Sequence, residues 1–138
     1  EDPNPAVPNR AWQIPVAAKV KGLAFLHTCE RPATFTRHIY DRRKVNPGTL
    51  GSYVIYLADG REVVVPLRWN KEIADWNSQL GPALAETAWQ GKTKGGAQIR
   101  LSVFRWQNPY PDVAVESIDF VSGADKVRPV LIAATGWR

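Results

Sequence analysis

Six tryptophans, Trp12, Trp69, Trp76, Trp89, Trp106 and Trp137, are the residues of this 138-residue chain whose type and setting point most directly to chemistry. A sugar ring carries C–H faces that stack on an indole, while Asn, Asp, Arg and His side chains bond its hydroxyls. Arg68-Trp69-Asn70 and Asp75-Trp76 supply that combination, and Trp106-Gln107-Asn108-Pro109-Tyr110 supplies it again. The expected sugar-contacting set is Trp69 and Trp76 as stacking surfaces, Arg68, Asn70 and Asp75 as hydroxyl partners, and Tyr110 from the second segment. Large aromatics are also core residues. Trp89 and Trp106 are the ones expected to be buried packing.

Catalytic patterns are missing from the sequence. It has no Gly-rich phosphate loop, no G-x-S-x-G elbow, no H-E-x-x-H and no cysteine pair for zinc. Glycosidases need two carboxyl groups across the scissile bond. Glu116 and Asp119 are three apart on an expected strand, which puts them on opposite faces. Asp75 and Asp112 sit in separate loops. The two histidines, His27 and His38, cannot build a three-histidine metal site. His27 lies in an apolar run and is expected to be a satisfied core or rim histidine. Cys29, the single cysteine, cannot form an internal disulfide and is expected to be a small buried hydrophobe. The expectation is a non-enzyme without cofactor. A structural calcium built from loop carboxylates and carbonyls is compatible with the composition but has no position in the sequence.

Length and composition fit one soluble-type globular domain, with 44% hydrophobic and 22% charged residues. No apolar run approaches the roughly 20 residues of a membrane helix, and no membrane partner is expected. The net charge of +5 favours an acidic partner, such as an anionic polysaccharide. The basic residues are dispersed, and the one dense run, Arg42-Arg43-Lys44, falls in an expected loop, so nucleic acid is not expected.

The elements that would position these residues are strands. Residues 1–15 read as a Pro-rich linker with a short opening strand at Ala11–Pro15, and residues 16–138 as a single β-sandwich domain. Val16–Thr28 is expected as a strand, followed by a long polar stretch, Glu30–Thr49, with one short element near Phe35–Tyr40. Gly51–Leu57 and Arg61–Leu67 flank Asp59-Gly60 and should form a hairpin. Arg68–Gly91 reads as an irregular insertion with short helical turns at Lys71–Trp76 and Pro82–Ala88. Strands are expected again at Gln98–Trp106, Val113–Ser122 and Val127–Thr135. Seven or eight short strands without a βαβ rhythm argue an antiparallel β-sandwich or jelly roll.

Five strings recur in order from Val20 to about Ala133: Val20–Thr28, Gly51–Gly60, Ile73-Ala74-Asp75-Trp76, Trp106–Asp112 and Ser117-Ile118-Asp119-Phe120. On these the chain resembles the galactose-binding-like jelly-roll modules of secreted bacterial glycoside hydrolases and related multidomain proteins. That family has a second tryptophan after the Asp-Trp pair, where this chain has Asn77. The resemblance implies a non-catalytic carbohydrate-binding module appended to a larger carbohydrate-active protein. It would be secreted or periplasmic and bind an oligo- or polysaccharide beside neighbouring domains of the parent chain. The alternative is a structural sandwich that packs against a catalytic domain and binds no ligand. The absence of methionine and the Pro-rich opening fit an excised module or mature fragment.

Overall fold

The computed structural model describes residues 10–30, 49–78, 80–123 and 127–138. These form eight strands: β1 Arg10–Ala18, β2 Gly22–Glu30, β3 Thr49–Leu57, β4 Glu62–Arg68, β5 Glu86–Lys92, β6 Gln98–Gln107, β7 Val115–Ser122 and β8 Arg128–Trp137. They build two antiparallel four-stranded sheets, ordered β1-β7-β3-β4 and β5-β6-β2-β8. The molecule is all-β and sandwich-like, as the strand pattern implied. The linker at residues 1–9, the element near Phe35–Tyr40, His38 and the run Arg42-Arg43-Lys44 lie outside the described residues.

Alternation explains both inner faces. Tyr53, Ile55 and Leu57 of β3 are buried, while Val54 and Tyr56 between them are not. Leu23, Phe25 and His27 of β2 do the same for the other sheet. The Phe25 and Tyr53 rings stack across the interface, with centroids 3.8 Å apart and planes 9° from parallel. Leu67, Val115, Ile118 and Val127 complete the buried cluster. Trp106 is buried against it, as expected.

The hairpin around Asp59-Gly60 forms as the turn chemistry requires. Gly60 takes φ +91°, a conformation that costs a residue with a Cβ, and Pro66 is tolerated because β4 is an edge strand. Val16–Thr28 is not one strand. It breaks at Lys19–Lys21, where the chain crosses from one sheet to the other. Asn108 secures the crossing, its Nδ2 donating to the Val20 carbonyl (2.8 Å) and its backbone N–H to the Lys21 carbonyl (2.9 Å). β1 runs through position 15, so the opening strand is part of the sandwich.

No helix forms among the described residues, which corrects the two helical turns expected in the insertion. Six or seven residues cannot offset helix nucleation, and both segments find β partners instead. Ala74–Trp76 wedges between β2 and β6 where those strands part: Cys29 N–H donates to the Ala74 carbonyl, Trp76 N–H to the Cys29 carbonyl, and Arg100 N–H to the Trp76 carbonyl. Glu86 and Thr87 pair with Val103 and Ser102 and open β5.

Candidate functional site

The expected loop residues occupy the β4–β5 connection, and most of their polar groups already have partners inside the protein. The anchor is His27. Tyr53 Oη donates to its Nδ1 and its Nε2–H donates to the Glu72 carbonyl, both at 2.7 Å. Burial lowers the His27 pKa to about 4, so the ring is neutral in ordinary buffers. Burial also raises Tyr53. Glu72, fixed in this way, accepts the Arg68 N–H at 2.9 Å and Nε–H at 3.0 Å, with Nη2 bonded to the same carboxylate. Burial pushes the Glu72 carboxyl up, but the bonds from Arg68 outweigh it and hold it below its ordinary value.

Arg68 is thus part of an internal latch. Asp75 is buried and accepts a long contact from Cys29 Sγ at 3.5 Å. Asn70 is exposed, but its φ of +62° marks it as the left-handed residue that turns the chain. Trp69 is half-buried and packs on the core, and Trp76 is half-buried beside the wedge. Tyr110 does not join this group. It lies at the opposite end of the sandwich, where the Arg61 guanidinium sits 3.7 Å above its ring. Arg61 precedes the first residue of β4 and Arg68 is its last, so roughly 20 Å of strand separates them.

A different residue group has the properties the loops were expected to supply. On the outer face of β7, Asp119 is 1% exposed and gathers three donors: Arg10 Nη2 at 2.8 Å, the Gln13 backbone N–H at 2.7 Å and Tyr56 Oη at 3.0 Å. Burial pushes the Asp119 carboxyl up, yet these bonds prevail and hold it low. The same bonds raise Arg10 and Tyr56. Gln13 is a non-glycine residue at φ +51°, inside a β1 bulge between Ala11 and Ile14. Such a bulge re-aims a side chain, and here the side chain is Trp12. Its ring lies 3.7 Å from the Arg10 guanidinium on one face, and the residue is 65% exposed. A buried carboxylate, a strained bulge and a stacked arginine together hold one indole out into solvent.

Nothing local in the sequence joins these residues, since Arg10 and Gln13 lie more than 100 positions from Asp119. Trp89, expected in the core, is 51% exposed. It lies on edge strand β5, its ring folded over Gly91, where a Cβ would come within 2.4 Å of the indole. Among the described residues no three His, Cys, Asp or Glu side chains assemble as a cation cluster. No family model, no curated protein and no solved structure matches this chain.

Proposed function

We propose that this sandwich is a non-catalytic carbohydrate-binding module that stacks a sugar ring on Trp12. The observation that carries the reading is the fixed, solvent-facing indole. One face of Trp12 is occupied by Arg10, which Asp119 holds, and the 65% exposure of the residue leaves surface for a ligand. An exposed aromatic held by buried polar bonds and a strained bulge fits binding better than packing. Tyr56, bonded to the same carboxylate as Arg10, would offer its hydroxyl oxygen and Gln13, next in the chain to Trp12, its amide to sugar hydroxyls. The family resemblance agrees in kind, since it implies a galactose-binding-like jelly roll attached to a secreted or periplasmic carbohydrate-active protein. The net charge of +5 favours an acidic glycan through long-range attraction.

Affinity gels cast with neutral and acidic polysaccharides test this. The parent protein should be retarded on at least one, Trp12→Ala should lose the retardation, and Trp76→Ala should keep it. If Trp76→Ala alone loses it, the site belongs to the β4–β5 connection. Unchanged mobility on every polysaccharide would end the carbohydrate reading. Retardation that ignores added salt would argue against an acidic glycan.

One observation favours the second reading, a structural domain packed on a neighbour in the parent chain. The outer face of β2, β6 and β8 presents Leu26, Val103 and Ala133 in register, with Leu101 and the 51%-exposed Trp89 beside them and the Glu86–Arg105 ion pair at the margin. An apolar surface of this kind is a protein-contact surface when it is covered.

A further inference from the structure

Four strands form sheet edges, β1, β4, β5 and β8, and open edges invite unwanted pairing unless something blunts them. β1 carries Pro15 and two residues at positive φ, Gln13 and Ala17, at breaks in its register. β4 carries Pro66 and Glu62. β5 has charges at both ends and a register break between Thr87 and Trp89. β8 carries such devices only in its first half, Arg128, Pro129 and an irregularity at Ile132, and leaves Ala133–Trp137 in unbroken register with Gly22–Leu26. That stretch is uncharged, lacks proline, and exposes Ala133, Ala134, Thr135 and Gly136.

The unguarded stretch also borders a cleft. Between β8 and β1 the two sheets leave a half-open slot of about 260 Å³, lined by Ile14, Val16, Leu23 and Ile118 and by Ala134, Thr135 and Gly136 of β8. The slot exceeds the ~150 Å³ cavity that takes a benzene-sized guest, leaving room for roughly two branched aliphatic side chains. At the Trp137 end stand three exposed cations: Lys19, Lys21, whose N–H donates to the Trp137 carbonyl at 2.7 Å, and Arg138.

We propose that β8 accepts an added β-strand from another polypeptide segment. This segment places branched aliphatic side chains at alternate positions into the slot and an acidic residue against Lys19, Lys21 and Arg138. Among the described residues the β8 edge has no pairing strand, and such an edge takes an extended partner, whose main chain bonds while alternate side chains fill pockets. The slot sets the size of those side chains, and the cations set the charge at one end. A second copy of β8 does not meet these requirements. It offers Ala134 and Gly136 on that side, which leave the slot unfilled.

Fluorescence anisotropy with the full chain tests the proposal, using the labelled peptide Glu-Val-Thr-Val-Thr-Val-Thr as probe. Saturable binding is expected, about tenfold weaker when alanine replaces every valine and weaker again when lysine replaces the glutamate. Ala134→Leu fills the slot from within, and about a tenfold loss is expected there, with the thermal midpoint of the variant confirming its fold. If Ala134→Leu does not fold, the alanine peptide on the parent protein carries the test. No saturable binding up to about 1 mM, equal binding of the valine and alanine peptides, or a β8-mediated dimer in sedimentation equilibrium would overturn it.

Discussion

His27 and Asp119 are both buried and both fully engaged in hydrogen bonds, yet they respond to pH through different windows. The unfolded His27 ring takes its proton near the ordinary histidine value of 6.5, whereas the folded ring resists until about 4. Between those values the unfolded chain binds more protons, so acidification from 6.5 to 4 removes stability, by at most about 3 kcal/mol. Urea titrations across that range should show the slope, and His27→Gln, which can still bridge Tyr53 and the Glu72 carbonyl, should flatten it. Asp119 acts lower. Its folded carboxyl is held below its ordinary value, so its contribution is present above the ordinary carboxylate range and disappears as pH falls through the folded value. Trp12 is different again. As an exposed indole it should cost under about 0.5 kcal/mol of stability when changed to alanine. Equal thermal midpoints for the parent and Trp12→Ala, with binding lost only in the variant, would separate its role from that of the core.

At the scale of elements, the β1 bulge and the glycine contacts carry the consequences. Gln13 occupies left-handed backbone, so Gln13→Gly should relieve strain of roughly 1 kcal/mol while loosening the placement of Trp12. A more stable variant that binds more weakly is the outcome to look for in paired melting and gel measurements. Gly22 is the reverse case. A Cβ there would stand 2.4 Å from the Trp106 carbonyl oxygen and 2.2 Å from the Trp137 ring, and backbone cannot give way as a side chain can. Gly22→Ala should cost about 1–3 kcal/mol, measurable by chemical denaturation. The elements that were legible in the sequence are those with local causes. Asp59-Gly60 dictates its hairpin, and the alternation of Tyr53, Ile55 and Leu57 dictates a buried face. β5 was not legible because Glu86–Lys92 has no apolar alternation, and its pairing with β6 imposes the strand. The break at Lys19–Lys21 was hidden for a similar reason: Asn108, some 88 positions away, fixes it.

At the scale of the molecule, the sandwich is joined through a few large side chains. The Phe25–Tyr53 stack and the His27–Tyr53 hydrogen bond are direct contacts between the sheets, and Phe25→Ala should cost about 3–5 kcal/mol. Tryptophans beside polar residues are visible in the sequence, but which of them face solvent is not. Whether an indole is buried depends on which sheet face it reaches and what crosses over it. Arg68 is engaged by Glu72, and Asp75 by Cys29 and the wedge strand. Trp12 became the strongest candidate only once Asp119, 106 positions beyond Gln13, closed the bulge that presents it. The most direct measurement is an ¹H–¹⁵N spectrum of the tryptophan indole resonances, titrated with oligosaccharides from a polysaccharide that retards the protein in gels. If Trp12 is the stacking surface, its indole signal shifts saturably while that of buried Trp106 stays in place. A Trp12 signal that does not move while the ligand binds, or no ligand found by any gel, would contradict it.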